Sequence, residues 1–198
     1  VHPQQQQQQR GGGCHVVLAS FVLHHLSLEQ KAEACRRAYE EFVDDVAMNG
    51  DTAKNFLGIS NQSTVTQVDA AYTGTGSSPA WSDKTNAQII KDVNDALTGV
   101  YTSTLQVEMA DTVLLPIAAM TFIASKQMDN TTMTVLEWIK RNNVYTSVTN
   151  QPLTIRAVRG LETAGEGSTG RMVVYRKDPQ VLKMHIPMPH RFLPAWQT

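Results

Sequence analysis

At 198 residues and 41% hydrophobic content, the chain is long enough for one large or two small domains and apolar enough to bury a core. Its formal net charge of −1 gives no global electrostatic drive towards nucleic acid or acidic membranes, which argues against a sequence-reading DNA binder. Cys14 and Cys35 are too few for a disulfide framework or a zinc site, and read as free or buried thiols in a reducing compartment.

Residues 1–26 stand apart as a low-complexity or unrelated extension. Gln4 to Gln9 is a homopolymer and Gly11-Gly12-Gly13 follows it, so there is little to bury. The apolar run at 16–26, VVLASFVLHHL, is much shorter than the roughly 20 residues of a bilayer span. Arg10 ahead of it suggests a signal peptide, but the His24-His25 pair and the missing small-residue cleavage site weaken that reading.

Residues 27–58 read as one long helix running into a polar, glycine-punctuated loop. Ser27 caps the helix and Gln30 completes a capping box. Leu28, Ala32, Cys35, Tyr39, Phe42 and Val46 draw one apolar stripe at steps of four and three, with charged residues on the other faces. Asn49-Gly50 supplies the left-handed turn that ends a helix. Phe56-Leu57-Gly58 reads as an apolar plug that pins the loop to the core.

Residues 73–79, TGTGSSP, form a loop by composition, with Trp81 as its anchor. Thr85 then caps a second helix, partnered by Gln88, whose buried face is Ile89, Ile90, Val93, Leu97, Val100 and Tyr101. Val113-Leu114-Leu115 is a strand entering a helix at Pro116, where a missing N–H costs nothing. Helices are expected at 116–127 and 134–142, and strands at 153–158, 171–175 and 181–186, with glycines 160, 165, 167 and 170 bracketing a flexible loop. Helices and strands are grouped rather than alternating, which favours an α+β class.

No constellation carries catalysis, a cofactor or a metal. Gly165-Glu166-Gly167-Ser168-Thr169-Gly170 lacks the Lys-Ser/Thr of a phosphate loop, is followed by strand-like sequence, and carries an anion in Glu166. His24-His25 and the His185/His190 pair have no ligand partners at recognisable spacing. Asp44-Asp45 are consecutive, so on a helix they diverge by about 100°. There is no Gly-x-Ser-x-Gly elbow. Met120, Met128, Met133, Met172, Met184 and Met188 read as plastic core filling.

Several of these pieces, in order, resemble one family. A charged helix ending at Asn49-Gly50-Asp51, followed by Asn55-Phe56-Leu57-Gly58-Ile59, is similar to the end of the spine helix in tailed-phage major capsid proteins and encapsulins. Residues 85–102 resemble the first helix of that family's axial domain, and Asp111-Thr112-Val113-Leu114-Leu115-Pro116 its strand-to-helix step. Thr134-Val135-Leu136-Glu137-Trp138 resembles a "TTVLEFF" element, and residues 170–179, GRMVVYRKDP, a "DRMVAYRRDP" segment. The likeness covers roughly residues 27–194. It implies the Hong Kong-type capsid fold, incomplete here: a peripheral spine helix and loop at 27–84, a mixed α/β axial domain at 85–180, and at 181–198 the start of a return to a truncated peripheral domain.

Functionally the resemblance implies a non-enzymatic phage or prophage shell subunit without cofactors or metals. Its partners would be copies of itself, in pentamers and hexamers, and non-specifically packaged DNA, with no membrane. It would reside in the virion capsid, and in the bacterial host cytoplasm during assembly. The missing N-terminal arm, extended loop and final strands imply a fragment that does not close into regular shells. An encapsulin-like cargo compartment is the alternative within the fold, and a small α/β enzyme the alternative outside it.

Overall fold

In the computed structural model, which describes residues 28–186, the longest element is helix α1 (Leu28–Asn49). The chain divides into two compact units, Val1–Asp44 with Pro187–Thr198, and Asp45–Ile186. In the first unit the described part of α1 is solvated. Ala32 and Cys35 are exposed, Phe42 is 56% exposed, and only Tyr39 and Val43 are half-buried. Of the expected apolar stripe, Ala32, Cys35 and Phe42 are therefore exposed, while Tyr39 and Val46 are half-buried. Arg36–Glu40 and Arg37–Glu41 pairs at 3.1 Å decorate the same helix, each adding a few tenths of a kcal/mol at such exposure. Ser27 and the first 26 residues lie outside the described residues.

The second unit is organised on β1 (Thr112–Leu115), whose four residues are all buried. It lies at the centre of a three-stranded sheet, parallel to β2 (Thr154–Ala157) and antiparallel to β3 (Val173–Tyr175). Helices α2 (Asn86–Ser103), α3 (Ile117–Ser125), α4 (Val135–Arg141) and α5 (Val144–Thr149) complete it. One core joins Ile89, Val93 and Leu97 of α2 to Val113 and Leu115 of β1, Ile123, Val135, Ile139 and Ile155. Full burial of each Ile, Leu or Val side chain contributes about 1.5–3 kcal/mol. The class is α+β, as the grouping of patterns implies.

Most elements form for the reasons visible in the sequence. Thr85 and Gln88 make the reciprocal capping box of α2, and Thr134 caps α4 through the Glu137 amide. Three expectations are corrected. The helix at 116–127 is shorter, Ile117–Ser125, because Pro116 occupies the cap and Lys126 is already extended. Helix α5 was not anticipated. Asn143 creates it by accepting from the Thr146 amide at 2.8 Å while its own amide bonds Ile139 O at 2.8 Å. Residues 181–186, expected as a strand, have no regular structure and are exposed, since among the described residues no strand pairs with them.

One polar cluster is sealed in this unit. Lys84 Nζ meets Asp92 Oδ2 at 2.6 Å with both side chains nearly inaccessible, and Trp81 Nε1 donates to the same oxygen at 3.0 Å. Lys126 Nζ in turn donates to Lys84 O at 2.8 Å. Trp81 thus anchors its loop as expected, through a hydrogen bond as well as a ring packed on the core. Removing one member of a buried pair strands the other charge. Asp92→Ala is expected to lower the unfolding free energy by about 3–5 kcal/mol in urea melts. Asp95→Ala, which breaks only the exposed Lys91–Asp95 pair, should stay within about 0.5 kcal/mol of wild type.

Candidate functional site

The best-built feature of the second unit is the clasp that receives the last turn of α1. The helix ends by the book of local geometry: Gly50 takes φ +76° and donates to Val46 O at 2.9 Å. Asp51 then caps a single 3₁₀ turn (Thr52–Lys54), accepting from the Ala53 amide at 3.1 Å and pairing with Lys54 at 3.2 Å. Asn55 turns left-handed at φ 57°, and Asp51 and Phe56 exchange two backbone bonds of 2.9 Å. This reversal aims Gly58 back at the helix end.

Contact there is backbone on backbone. A Cβ at Gly58 would lie 2.4 Å from Gly50 N and 2.5 Å from Met48 O, and one at Gly50 would lie 2.3 Å from Phe56 O. Asn61 secures the approach, accepting from Gly58 N at 2.6 Å and donating to Asn49 O at 2.9 Å, an orphan carbonyl of the helix terminus. The expected plug is thus corrected. Phe56 and Leu57 are 57% and 50% exposed, and the buried residue of the triplet is Gly58, because only a residue without a side chain fits between two main chains.

A second loop closes on the same turn. Gly160, at φ +93°, lies so close to Asn49 that a Cβ would sit 2.3 Å from its amide nitrogen. Arg171 reaches across to bond Ser60 O and, at 2.8 Å, Gln67 Oε1. Glu162 accepts from Gly160 N at 2.8 Å and from Ile117 N, at the start of α3, at 3.5 Å. Its own amide, against a smaller opposing effect of burial, and then the Gly160 and Ile117 amides hold the Glu162 carboxyl below its ordinary 4.5.

The residues weighed for chemistry do not come together. Gly165–Gly170 folds into a closed turn around Glu166–Ser168, with Gly165 N donating to Thr169 O at 2.7 Å. His185 and Cys35 are exposed, and Asp45 accepts from Asn49 Nδ2 at 2.8 Å. Cys14, His24, His25, His190 and Met188 lie outside the described residues. Met120, Met128 and Met172 pack on the core as expected, but Met184 is 53% exposed, a correction that follows from the missing strand. Among the described residues no group of three or more His, Cys, Asp or Glu could hold a metal, and no helix is long and apolar enough to cross a membrane.

What the second unit does present is apolar surface on fixed supports. Thr104 Oγ1 accepts from the Glu108 amide and has the Val100, Tyr101 and Glu108 carbonyls within reach of its one proton, pinning a turn in which Leu105 and Gln106 are both left-handed. Leu105 is 86% and Val107 73% exposed at its tip. Residues 63–73 form an exposed strap that includes Val65, Val68 and Tyr72.

Among the described residues the second unit is thus a small sheet flanked by helices that holds the last turn of α1 and carries exposed apolar surface. The chain belongs to the major capsid protein family, whose model matches residues 26–198. Its fold is similar to a solved structure described as the capsid of Myoviridae phage XM1, with a TM-score of 0.59 and 18% identity. That likeness covers 83% of this chain and 53% of the other, so this chain spans about half the length of its structural relative. No curated protein matches it. The sequence resemblance to phage capsid proteins is thereby borne out, over nearly the span on which it was read.

Three variants test the clasp. Gly58→Ala should destabilise by about 1–3 kcal/mol through overpacking. Gly50→Val should cost at least about 1–2 kcal/mol from the left-handed backbone. Leu57→Ala, at an exposed position, should change stability by less than about 0.5 kcal/mol in the same denaturant melts. For Glu162 the folded pKa is depressed, so its stabilisation is complete above about pH 4.5 and is lost as pH falls through the lower folded value. Thermal melts of wild type and Glu162→Gln should therefore differ at pH 7 and converge on acidification below that range.

Proposed function

We propose that this chain is a non-enzymatic phage or prophage head subunit that associates with copies of itself. The observation carrying this is the family match across residues 26–198. Rings of five and six would close into a shell around DNA held non-specifically, without a membrane partner, in the host cytoplasm during assembly. The likeness to a phage capsid structure supports a virion head over a cargo compartment. Within the subunit, residues 27–84 would serve the periphery of the shell, residues 85–180 the ring centres, and residues 181–198 the return to the periphery. Shell proteins work by the geometry of their self-contacts, and a well-packed second unit supports that role.

Light scattering and negative-stain microscopy test this reading. Self-association that rises with protein concentration is the expected outcome. A strictly monomeric protein at every concentration and salt level would overturn it.

A further inference from the structure

Two elements of the second unit are complementary but unpaired within one copy. The first is the outer edge of β2. Thr154 and Val158 donate to Asp111 O and Leu115 O on the β1 side, each at 3.0 Å. In a parallel ladder the peptide groups alternate, so those of Ile155 and Ala157 face away from β1. Since β2 ends the order β2-β1-β3, that side is an open sheet edge among the described residues. The second element is the strap. From Thr66 to Ala71 no backbone amide is hydrogen-bonded within the described residues, and its N-terminal half, STVTQVD, is rich in β-branched residues.

Charge and placement match them to each other. Asp69 is the only charge between Lys54 and Asp83, whereas the β2 segment 151–160 carries Arg156 and Arg159 and no acid. Among the described residues none of the three is in an ion pair, and both arginines are exposed. The strap is tethered through Gln67 to Arg171, two residues ahead of β3, and β3 flanks β1 on the side opposite β2. A copy therefore carries the strap beside one edge of its sheet and the open edge at the other.

We propose that the strap of one copy adds as an edge strand to β2 of a second copy, with Asp69 facing Arg156 and Arg159. This rests on the reading of the chain as a self-associating subunit and names one contact through which it would associate. Main-chain bonds supply affinity in such strand addition, and the side-chain charges fix register and partner. The contact is head-to-tail, because different surfaces meet, so it generates rings where the rotation closes. It also covers an edge that would otherwise template irregular pairing.

Full-length Asp69→Lys, Arg156→Glu and the double variant test the contact by sedimentation velocity, with circular dichroism confirming that each folds. Each single reversal should weaken self-association at least about threefold, and the double variant should recover to within about twofold of wild type. In parallel, Val68→Cys chains and Ala157→Cys chains, both also carrying Cys14→Ser and Cys35→Ser, are mixed and oxidised. A disulfide-linked heterodimer exceeding either homodimer is expected. Association that ignores both reversals and gives no preferential heterodimer overturns this contact and leaves the shell reading standing. Absence of any association, or capture of a different protein in its place, overturns the contact as well, and the former removes the shell reading with it.

Discussion

The contact between Gly50 and Gly58 constrains more of this molecule than any single side chain. Two stretches of main chain meet where a methyl group would not fit, and the meeting fixes where α1 stops and how the chain leaves it. Asn61 can then bond both partners at once, reaching Asn49 O and Gly58 N from one side chain. Ser60 is carried within reach of Arg171, and Asn49 against Gly160, so the loop ahead of β3 is drawn onto the same turn. A side-chain contact could give way by a change of rotamer, whereas main-chain atoms cannot move aside without dragging their own hydrogen bonds.

The sequence made helix starts and the first core face plain, since their signals are local. Thr85-x-x-Gln88 and the 89, 93, 97 spacing state where α2 begins and which side it buries, and the structure keeps both. Asn49-Gly50 was legible as a helix end for the same reason. The role of Phe56-Leu57-Gly58 was not, because an apolar pair beside a glycine suggests burial of the pair, while the decisive fact is a close approach by residue 50, eight positions away. Helix α5 was hidden by its length of six residues, too short for a period to show, and rests on one asparagine cap. At 181–186 the apolar composition fits a strand, but a strand exists only with a partner to pair with, and composition cannot name one.

Polar burial and apolar exposure occur together in the second unit. The sealed ion pair Lys84–Asp92 holds a loop to α2. Meanwhile Val65, Val68, Leu105 and Val107 are more than half exposed. The turn at Leu105-Gln106 sharpens the point. Two consecutive left-handed residues that are not glycine cost about 1–2 kcal/mol each. The Thr104 hydroxyl, accepting from the Glu108 amide and donating to a nearby carbonyl, helps to offset that strain, and what the arrangement holds in place is an apolar tip in water.

Under the proposed function, such a distribution suits a subunit that completes its folding free energy against its neighbours. A monomeric protein has to hide its apolar surface within one chain, whereas a subunit leaves part of it for neighbours, and binding that favours the folded form adds stability by mass action. The interior must then be rigid enough on its own to hold the external contacts at fixed angles. Here β1 buried along its whole length, the sealed polar cluster and the glycine clasp supply that rigidity, while the strap, the turn and the β2 edge remain outside it. Geometry held by the core and surface left uncovered are two halves of one requirement. Head-to-tail contacts close into a ring only when each copy repeats the same angle, and an angle repeats only when the element that sets it cannot bend.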